Sequence, residues 1–504
     1  MVRISHSHWL YLIIIISSCL VTLSSSAYLP VKAVNLGGWL VTEGWMTPSL
    51  FNNIPNKDML DGTQLHLKSV TLNMYLSAEG GGDSIIVANR TSASDWETFK
   101  LWRVNERTFY LRVSMGQFVR ISTRSSRLVA KATNPSTTEA FVIVRNSNNR
   151  VRIRAPNGLF VQVSTTADAV TADYAEENTN WGDNDPSVFQ MELGRQFQGE
   201  FQLTNGYGSN ATSVLRNHWS TYITEDDFRS MANDKLNAVR IPVGWWIASD
   251  PNPPKPFVGG SLQTLDNAFT WAEKYNLGVI VDLHAANGSQ NGNENSGTRD
   301  GSKEWGTTDE NIDQTVAVID FLASRYAQRS GLLAIELINE PLAPGVTLDS
   351  LKKYYQAGYN AVRKYTPNAY VIMSNRLGPA DSTELLQLAS NLDKSVIDVH
   401  YYNLYTDMFS RMTVQQHIDF VNNNRSRDLN TVMVANGPPV FVGEWSAECG
   451  GCENKATKED YQRFAQAELN VYGGATFGWS YWAWKNVNDH WSLKWMIDNG
   501  YISL

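Results

Sequence analysis

The feature that most restricts this chain is a repeat of about 42 residues set inside an alternation of strands and helices. From Gly62 to about Leu193 three units follow one another. The first holds Leu65-His-Leu67, Tyr75-Leu-Ser-Ala78, Ile86-Val-Ala88 and Phe99-Lys-Leu101. The second holds Leu111-Arg-Val113, Phe118-Val-Arg-Ile121, Leu128-Val-Ala130 and Phe141-Val-Ile143. The third holds Val151-Arg-Ile153, Phe160-Val-Gln-Val163, Val170-Thr-Ala172 and Phe189-Gln-Met191. Tyr75, Phe118 and Phe160 are 43 and 42 residues apart; Phe99, Phe141 and Phe189 are 42 and 48 apart. Alternating apolar positions between Gly, Asn and Ser turns predict four short strands per unit. Three blades are too few to close a propeller, whereas three four-stranded units suit a β-trefoil.

Outside the repeat, short apolar runs alternate with helical stretches, the pattern of parallel β/α units. The candidate strands are Val31–Leu36, Ala238–Val243, Gly278–His284, Leu332–Asn339, Ala369–Ser374, Val396–His400, Val440–Glu444 and Thr476–Trp482. Eight such strands close a barrel. The expected fold class is therefore α/β, a (β/α)8 TIM barrel with an inserted all-β trefoil domain. Residues 28–61 and 194–504 are assigned to the barrel, and 62–193 to an insertion in its first β/α connection. Thr224-Glu-Asp-Asp227 reads as the cap of a helix that follows.

Residues 1–27 read as a secretory signal. Arg3 precedes an apolar run, Trp9 to Leu23, and Ser25 and Ala27 fit a cleavage site. The alternative is an uncleaved anchor, because the run approaches the shortest spanning helices. With the signal removed, the chain is expected outside the cell or in the wall, with no membrane partner. Its formal charge of −8 and the lack of basic clusters exclude nucleic acid as a partner. Beyond the signal only Cys449 and Cys452 remain. They predict a small disulfide loop or two free thiols, since a redox pair or metal site would need further ligands. Sequons at Asn89, Asn210, Asn287 and Asn424 suit a secreted glycoprotein.

Catalytic groups on such a barrel belong at the C-terminal ends of its strands. Those ends carry Arg240, His284, Asn339-Glu340, His400-Tyr-Tyr402, Glu444 and Trp482. Leu337-Ile-Asn-Glu340-Pro341 and Val440-Phe-Val-Gly-Glu444-Trp445 are apolar runs that stop on a carboxylate. Acetal hydrolysis needs two carboxyl groups, one to protonate the leaving oxygen and one to attack or activate water. A gap of about 5 Å would give retention and one of about 6.5–9.5 Å inversion. The plainer alternative makes each glutamate a structural ion-pair partner. Neither histidine fits a zinc pattern such as HExxH, so no metal and no cofactor is expected.

The repeat resembles the fascin-like trefoil through Tyr75-Leu-Ser-Ala-Glu-Gly80 and Trp96-Glu-Thr-Phe99. The rest resembles glycoside hydrolase family 5, in its exo-β-1,3-glucanase-like branch. That resemblance is carried by Val34-Asn-Leu-Gly-Gly-Trp-Leu-Val41, Pro48-Ser-Leu-Phe51, His218-Trp219, Asn237-Ala-Val-Arg-Ile-Pro-Val-Gly-Trp245 and Asp282-Leu-His284. It continues through Gly288-Ser-Gln-Asn-Gly292, Asn339-Glu-Pro341, His400-Tyr-Tyr402, Gly443-Glu-Trp445 and Gly478-Trp-Ser-Tyr-Trp-Ala-Trp-Lys485. The trefoil insertion further resembles a plant-type subgroup.

The resemblance implies Glu340 as acid/base and Glu444 as nucleophile of a two-step retaining displacement. Arg240 and Tyr402 are then expected to lower the pKa of Glu444, and the surroundings of Glu340 to raise its own. Asn339 is expected on the sugar 2-hydroxyl, His284 on another hydroxyl, and His400 beside Glu340. Trp482 is the expected aromatic floor, with Trp484 as the alternative, and Glu43 is expected to grip the terminal sugar. Glu304 and Glu448 read as ordinary loop acids. Asn287 departs from the branch, where proline is usual, and a glycan there is expected to crowd the mouth of the site.

The expected activity is that of a retaining exo-β-1,3-glucosidase acting on β-glucan or small β-glucosides, with transglucosylation open to the same intermediate. The trefoil is a candidate sugar-binding module. Two alternatives stay open: an endo-acting β-1,4-glycanase of cellulase or mannanase type, and an inert protein that binds wall carbohydrate.

Overall fold

Eight parallel strands, buried on both faces, build the frame that holds the site. In chain order they are β1 (Val31–Asn35), then, after twelve strands β2 to β13 between Gln64 and Leu193, β14 (Ala238–Gly244), β15 (Gly278–Ala285), β16 (Leu332–Glu336), β17 (Tyr370–Ser374), β18 (Ser395–Asn403), β19 (Val440–Cys449) and β20 (Gly478–Tyr481). The computed structural model describes residues 28–146, 149–164, 168–175, 180–453 and 455–504; the segment 1–27, read above as a signal, lies outside them. The strands lie around a closed barrel in chain order, and β1 pairs with both β14 and β20, Ala33 opposite Ala238 and Val31 opposite Gly478. Every residue of β14 and β15 is buried, as strands covered on both faces require.

All eight predicted runs form barrel strands, with shifted ends. The fourth stops at Glu336, so Asn339 and Glu340 sit in the connection beyond it. The sixth and seventh run on to Asn403 and Cys449. Their pairing breaks register between Val399 and His400 and again between Tyr401 and Asn403, which sets His400 opposite Glu444. Bulges of this kind re-aim side chains at the rim of a barrel. Cys449, the last residue of β19, is joined to Cys452 in a disulfide. Thr224 and Asp227 form the predicted capping box, on the helix Glu225–Asn233.

The twelve remaining strands form an all-β domain. Six of them pair in a closed ring: β2 (Gln64–Ser69), β5 (Phe99–Arg103), β6 (Thr108–Arg112), β9 (Phe141–Arg145), β10 (Arg150–Arg154) and β13 (Phe189–Leu193). Three hairpins join them, Tyr75–Ala78 with Ile86–Arg90, Phe118–Ile121 with Leu128–Ala132, and Phe160–Val163 with Val170–Tyr174. Bridges at Ile85–Val129, Val87–Ala169 and Arg127–Thr171 tie the hairpins to one another. Along β2 the period-two pattern sends Leu65 and Leu67 inward, where they meet Leu101, Phe109, Phe141, Val151 and Phe189. The same capping box recurs in two repeats, at Ser94/Glu97 and Ser136/Glu139. Among the described residues no helix is long and apolar enough to cross a membrane.

Candidate active site

At the C-terminal ends of the barrel strands lies a cavity of about 710 Å³. Glu43, His284, Glu340, His400, Tyr402, Glu444 and Trp482 line it, all named from the sequence. Arg240 and Asn339, also named there, do not line the cavity; both are fully buried. The wall is completed by Trp45, Trp491 and Tyr405, which sequence reasoning missed. Trp45 and Trp491 pack edge to face at 5.0 Å, and Tyr405 meets Tyr402 edge to face at 5.8 Å.

Under the cavity is a layer of buried charge. The Arg240 guanidinium grips Glu336 with Nε and Nη2, each 2.7 Å from a carboxylate oxygen. Its Nη1 donates to Glu444 Oε1 at 3.0 Å and to Asn35 Oδ1 at 2.9 Å, and its Nη2 to Asn339 Oδ1 at 2.8 Å. Asp282 lies 3.1 Å from Nη2. The planar fork thus fixes nucleophile candidate and amide together, which a lysine could not do. Tyr402 donates its hydroxyl proton to Glu444 Oε2 at 2.8 Å. His284 Nδ1 is 2.6 Å from Asp282 Oδ2, and its ring stacks on Trp482 at 5.3 Å, leaving Nε2 and the Asn339 Nδ2 without a protein partner. Both can bond sugar hydroxyls, Asn339 Nδ2 as a donor and His284 Nε2 as an acceptor in the neutral ring or a donor in the cation. Asp282, Glu336 and Asp398 were not singled out in the sequence. The signal was there, since an acid inside an apolar strand run has to be paired when buried.

His400 lies among three carboxylates. Its Nδ1 is 2.9 Å from Glu340 Oε1 and 3.5 Å from Glu444 Oε2, and its Nε2 is 2.9 Å from Asp398 Oδ2. One oxygen of Glu340 and one of Glu444 lie within 4.8 Å of each other. Burial alone would lower the His400 imidazole, but the charges of Glu444 and Asp398 and its two carboxylate bonds hold it well above its ordinary value. The consequence reverses two expectations. Burial would raise Glu340, yet hydrogen bonds from His400 and Asn295, with the charges of His400 and His284, bring it below the usual carboxylate range. Glu444 is raised instead, by burial and by the charge of Glu340, against the lowering pull of His400, Arg240 and His284. These shifts favour the proton on His400, one hydrogen bond away from Glu340. Glu43 is buried with Trp45 Nε1 on its Oε2 at 2.9 Å, and burial pushes it up to about 7.

The backbone at Glu340 is left-handed, φ 47°, which only a supporting network maintains in a residue with a side chain. Gln290 Nε2 donates to the carbonyl of Asn339 at 2.8 Å, and Asn291 Nδ2 to that of Glu340 at 3.3 Å. Asn295 Nδ2 donates to Glu340 Oε2 at 3.0 Å. All three come from one connection, 286–304, an irregular segment whose contacts no periodicity announces.

Two expectations need correction. Trp484 is no alternative floor: it is fully buried and donates Nε1 to Asp227 Oδ1 at 3.0 Å. Asn287 does not line the catalytic cavity; its side chain bonds Gln314 and faces a separate cavity of about 210 Å³ against the all-β domain. Glu304 binds Arg112 at 3.2 Å and Glu448 binds His490 at 3.2 Å, both away from Glu340 and Glu444.

Known proteins place this geometry. Residues 201–488 match the family described as cellulase (glycosyl hydrolase family 5), and residues 56–193 match a domain of unknown function, DUF7910. A protein of Aspergillus fumigatus named probable glucan 1,3-beta-glucosidase A is 33% identical over 355 residues, 62% of this chain and 82% of its own. The glucan 1,3-beta-glucosidase of Blumeria graminis is 32% identical over 356 residues, 62% of this chain and 80% of its own. The rutinosidase from Aspergillus niger shares the fold with a TM-score of 0.52 at 23% identity, over 60% of this chain and 88% of that one. With most of the barrel matched and a buried carboxylate pair at its mouth, the chain belongs to glycoside hydrolase family 5.

Proposed function

We propose that this glycoside hydrolase is a retaining, exo-acting β-1,3-glucosidase, with Glu340 as acid/base and Glu444 as nucleophile. The observation that carries the reading is the approach of the two carboxylates to within 4.8 Å. That closeness fits the short separation of a retaining pair and suits direct attack by one of them. Glu444 Oε attacks the anomeric carbon as the glycosidic C–O bond breaks, and Glu340 delivers a proton to the departing oxygen. The proton reaches Glu340 from His400 Nδ1, 2.9 Å away. In the second step Glu340 takes a proton from water, whose oxygen displaces Glu444 and restores the free sugar with its β configuration, and the proton passes back from Glu340 to His400 Nδ1. A sugar hydroxyl in place of water would give transglucosylation.

Arg240 and Tyr402 hold one oxygen each of Glu444 and leave its attack aimed. Asn339 Nδ2 and His284 Nε2 are the hydrogen-bonding groups for the sugar hydroxyls, Trp482 the floor, and Glu43 the grip on the terminal ring. Exo-action is supported by a cavity with Glu43, Trp45 and Trp491 in its wall, and the 1,3 linkage by the names of the relatives. The ring of six strands under three linked hairpins supports reading residues 62–193 as a β-trefoil insertion. A cleaved signal at 1–27 would send the chain to the cell exterior or wall, with sequons exposed at Asn89 and Asn210.

The test is proton NMR of laminari-oligosaccharide cleavage by the secreted form and its Glu444→Ala variant. Glucose appearing first as the β-anomer, and absent with the variant, is the expected result. Internal cleavage of β-1,4 oligomers alone would remove the substrate claim, and the α-anomer first would remove retention.

A further inference from the structure

The all-β domain has no residue among those lining the catalytic cavity, yet it holds the connection that touches Glu340. The connection 286–304 has one short 3-10 turn, Glu294–Ser296, and otherwise no regular structure. Gly288, Ser289, Gly292, Gly297 and Gly301 all have positive φ, and the loop closes on itself through bonds such as Glu304 N–H to the Gly288 carbonyl at 2.7 Å. Contacts from outside add to these. Arg112, at the end of β6, donates to Asp300 Oδ2 at 2.8 Å and to Ser302 Oγ at 2.9 Å. Trp102, on β5, donates Nε1 to the same Asp300 oxygen at 2.7 Å. The Arg299 guanidinium lies 3.7 Å over the Trp102 ring and donates to Asp61 at 2.8 Å. Arg195, just beyond β13, donates to Asn293 at 3.0 Å.

Asp300 and Arg112 are 2% and 16% exposed, so the pair is screened little by solvent. Burial would raise Asp300, but the charges of Arg112 and Lys100 and hydrogen bonds from Ser302 and Arg112 together lower it to about 2, so the pair stays ionised through the working range. Five residues from Asp300, Asn295 donates to Glu340 Oε2. The anchored strand ends, the clamped loop and the acid/base candidate form one contiguous run of bonds.

From this we propose that the all-β domain braces the 286–304 connection, with Arg112, Trp102 and Asp300 as positioning residues that set Glu340 for proton transfer through Asn295. The inference rests on Glu340 being the acid/base. It gives the domain a part in catalysis without a contact to substrate. A brace of this kind acts on the step that needs the proton donor and spares steps that do not.

Leaving-group dependence separates the two. In the full-length enzyme, Arg112→Gln and Asp300→Asn should each lower kcat about tenfold on laminaribiose and alkyl β-glucosides, whose leaving groups need a proton. With 2,4-dinitrophenyl β-glucoside, whose leaving group departs unprotonated, formation of the glycosyl-enzyme should change less than about twofold. Asn295→Ala should show the same selectivity, and KM should stay near that of the parent. Equal losses on both substrates, or none on either, with melting temperatures showing folded protein, would overturn the brace. Glu340→Ala is the control. It should show the selectivity in larger form, with azide restoring turnover as β-glucosyl azide. If Glu340→Ala behaves so and the Arg112 and Asp300 variants do not, the brace falls and the acid/base stands. If Glu340→Ala itself lacks the selectivity, the acid/base assignment falls first and the brace with it.

Discussion

Both domains bury charge, but only the barrel sets it against the catalytic cavity. The ring of the all-β domain encloses Leu65, Leu67, Leu101, Phe109, Phe141, Val151 and Phe189, an apolar core. The barrel buries Arg240, Asp282, Glu336, Asp398 and Glu444 at its C-terminal end, all nearly without solvent contact. Ionised groups taken out of water cost several kcal/mol each before pairing offsets it. The barrel accepts that cost where chemistry needs preorganised charge; the all-β domain also buries charge, Arg152 against Asp185 at 2.6 Å, but none of it lines the catalytic cavity. The lesson is that buried charge by itself does not mark a site; its place against a cavity does.

The sharpest test of this contrast is at the pocket. Replacing Glu340 by Gln should cut kcat on laminari-oligosaccharides by about 10²–10⁴-fold while leaving the melting temperature unchanged or higher. A clear fall in melting temperature would show that the pocket charge stabilises the barrel and would break the contrast. In the apolar core, Phe109→Ala should cost about 3–5 kcal/mol, read by denaturant unfolding of the all-β domain. A loss below 1 kcal/mol would mean that this core is loosely packed.

Two smaller effects are read by pH. Glu43 is raised from 4.5 to about 7, so the folded state holds its proton more tightly than the unfolded state. Stability should therefore fall as pH rises from about 4.5 to about 7, by about 3 kcal/mol, and Glu43→Gln should lack that fall. Asp300 is lowered from 3.8 to about 2, so its contribution is full above the higher value and vanishes as pH falls through the lower. Asp300→Asn should be less stable by about 2 kcal/mol at neutral pH, the difference closing towards pH 2. Melting scans of each pair across pH 2–8 measure both, and a flat difference would refute either one.

The sequence made the barrel legible because strands buried on both faces leave unbroken apolar runs such as Ala238–Val243. It made Glu340 and Glu444 legible because each ends such a run. Asn295 and Asp300 were not legible: they lie in an irregular segment, and their partners Glu340 and Arg112 are set by tertiary packing 45 and 188 residues away. The reversed pKa directions had the same cause. A residue's own strand says nothing of the imidazolium brought beside it, and His400 decides where the proton rests. Strand ends were displaced where bulges, invisible to periodicity, carry β18 and β19 further.

The pairing of β1 with β20 has a consequence for the order in which the molecule is made. Val31 finds its partner only when Gly478 has left the ribosome. Until then the first strand has an open edge, exposed to wrong pairing for most of synthesis. The all-β domain is complete by Leu193 and is free to fold while that edge waits. Barrel closure is therefore the late event, and a chain truncated before β20 should be captured by chaperones with its inserted domain already folded.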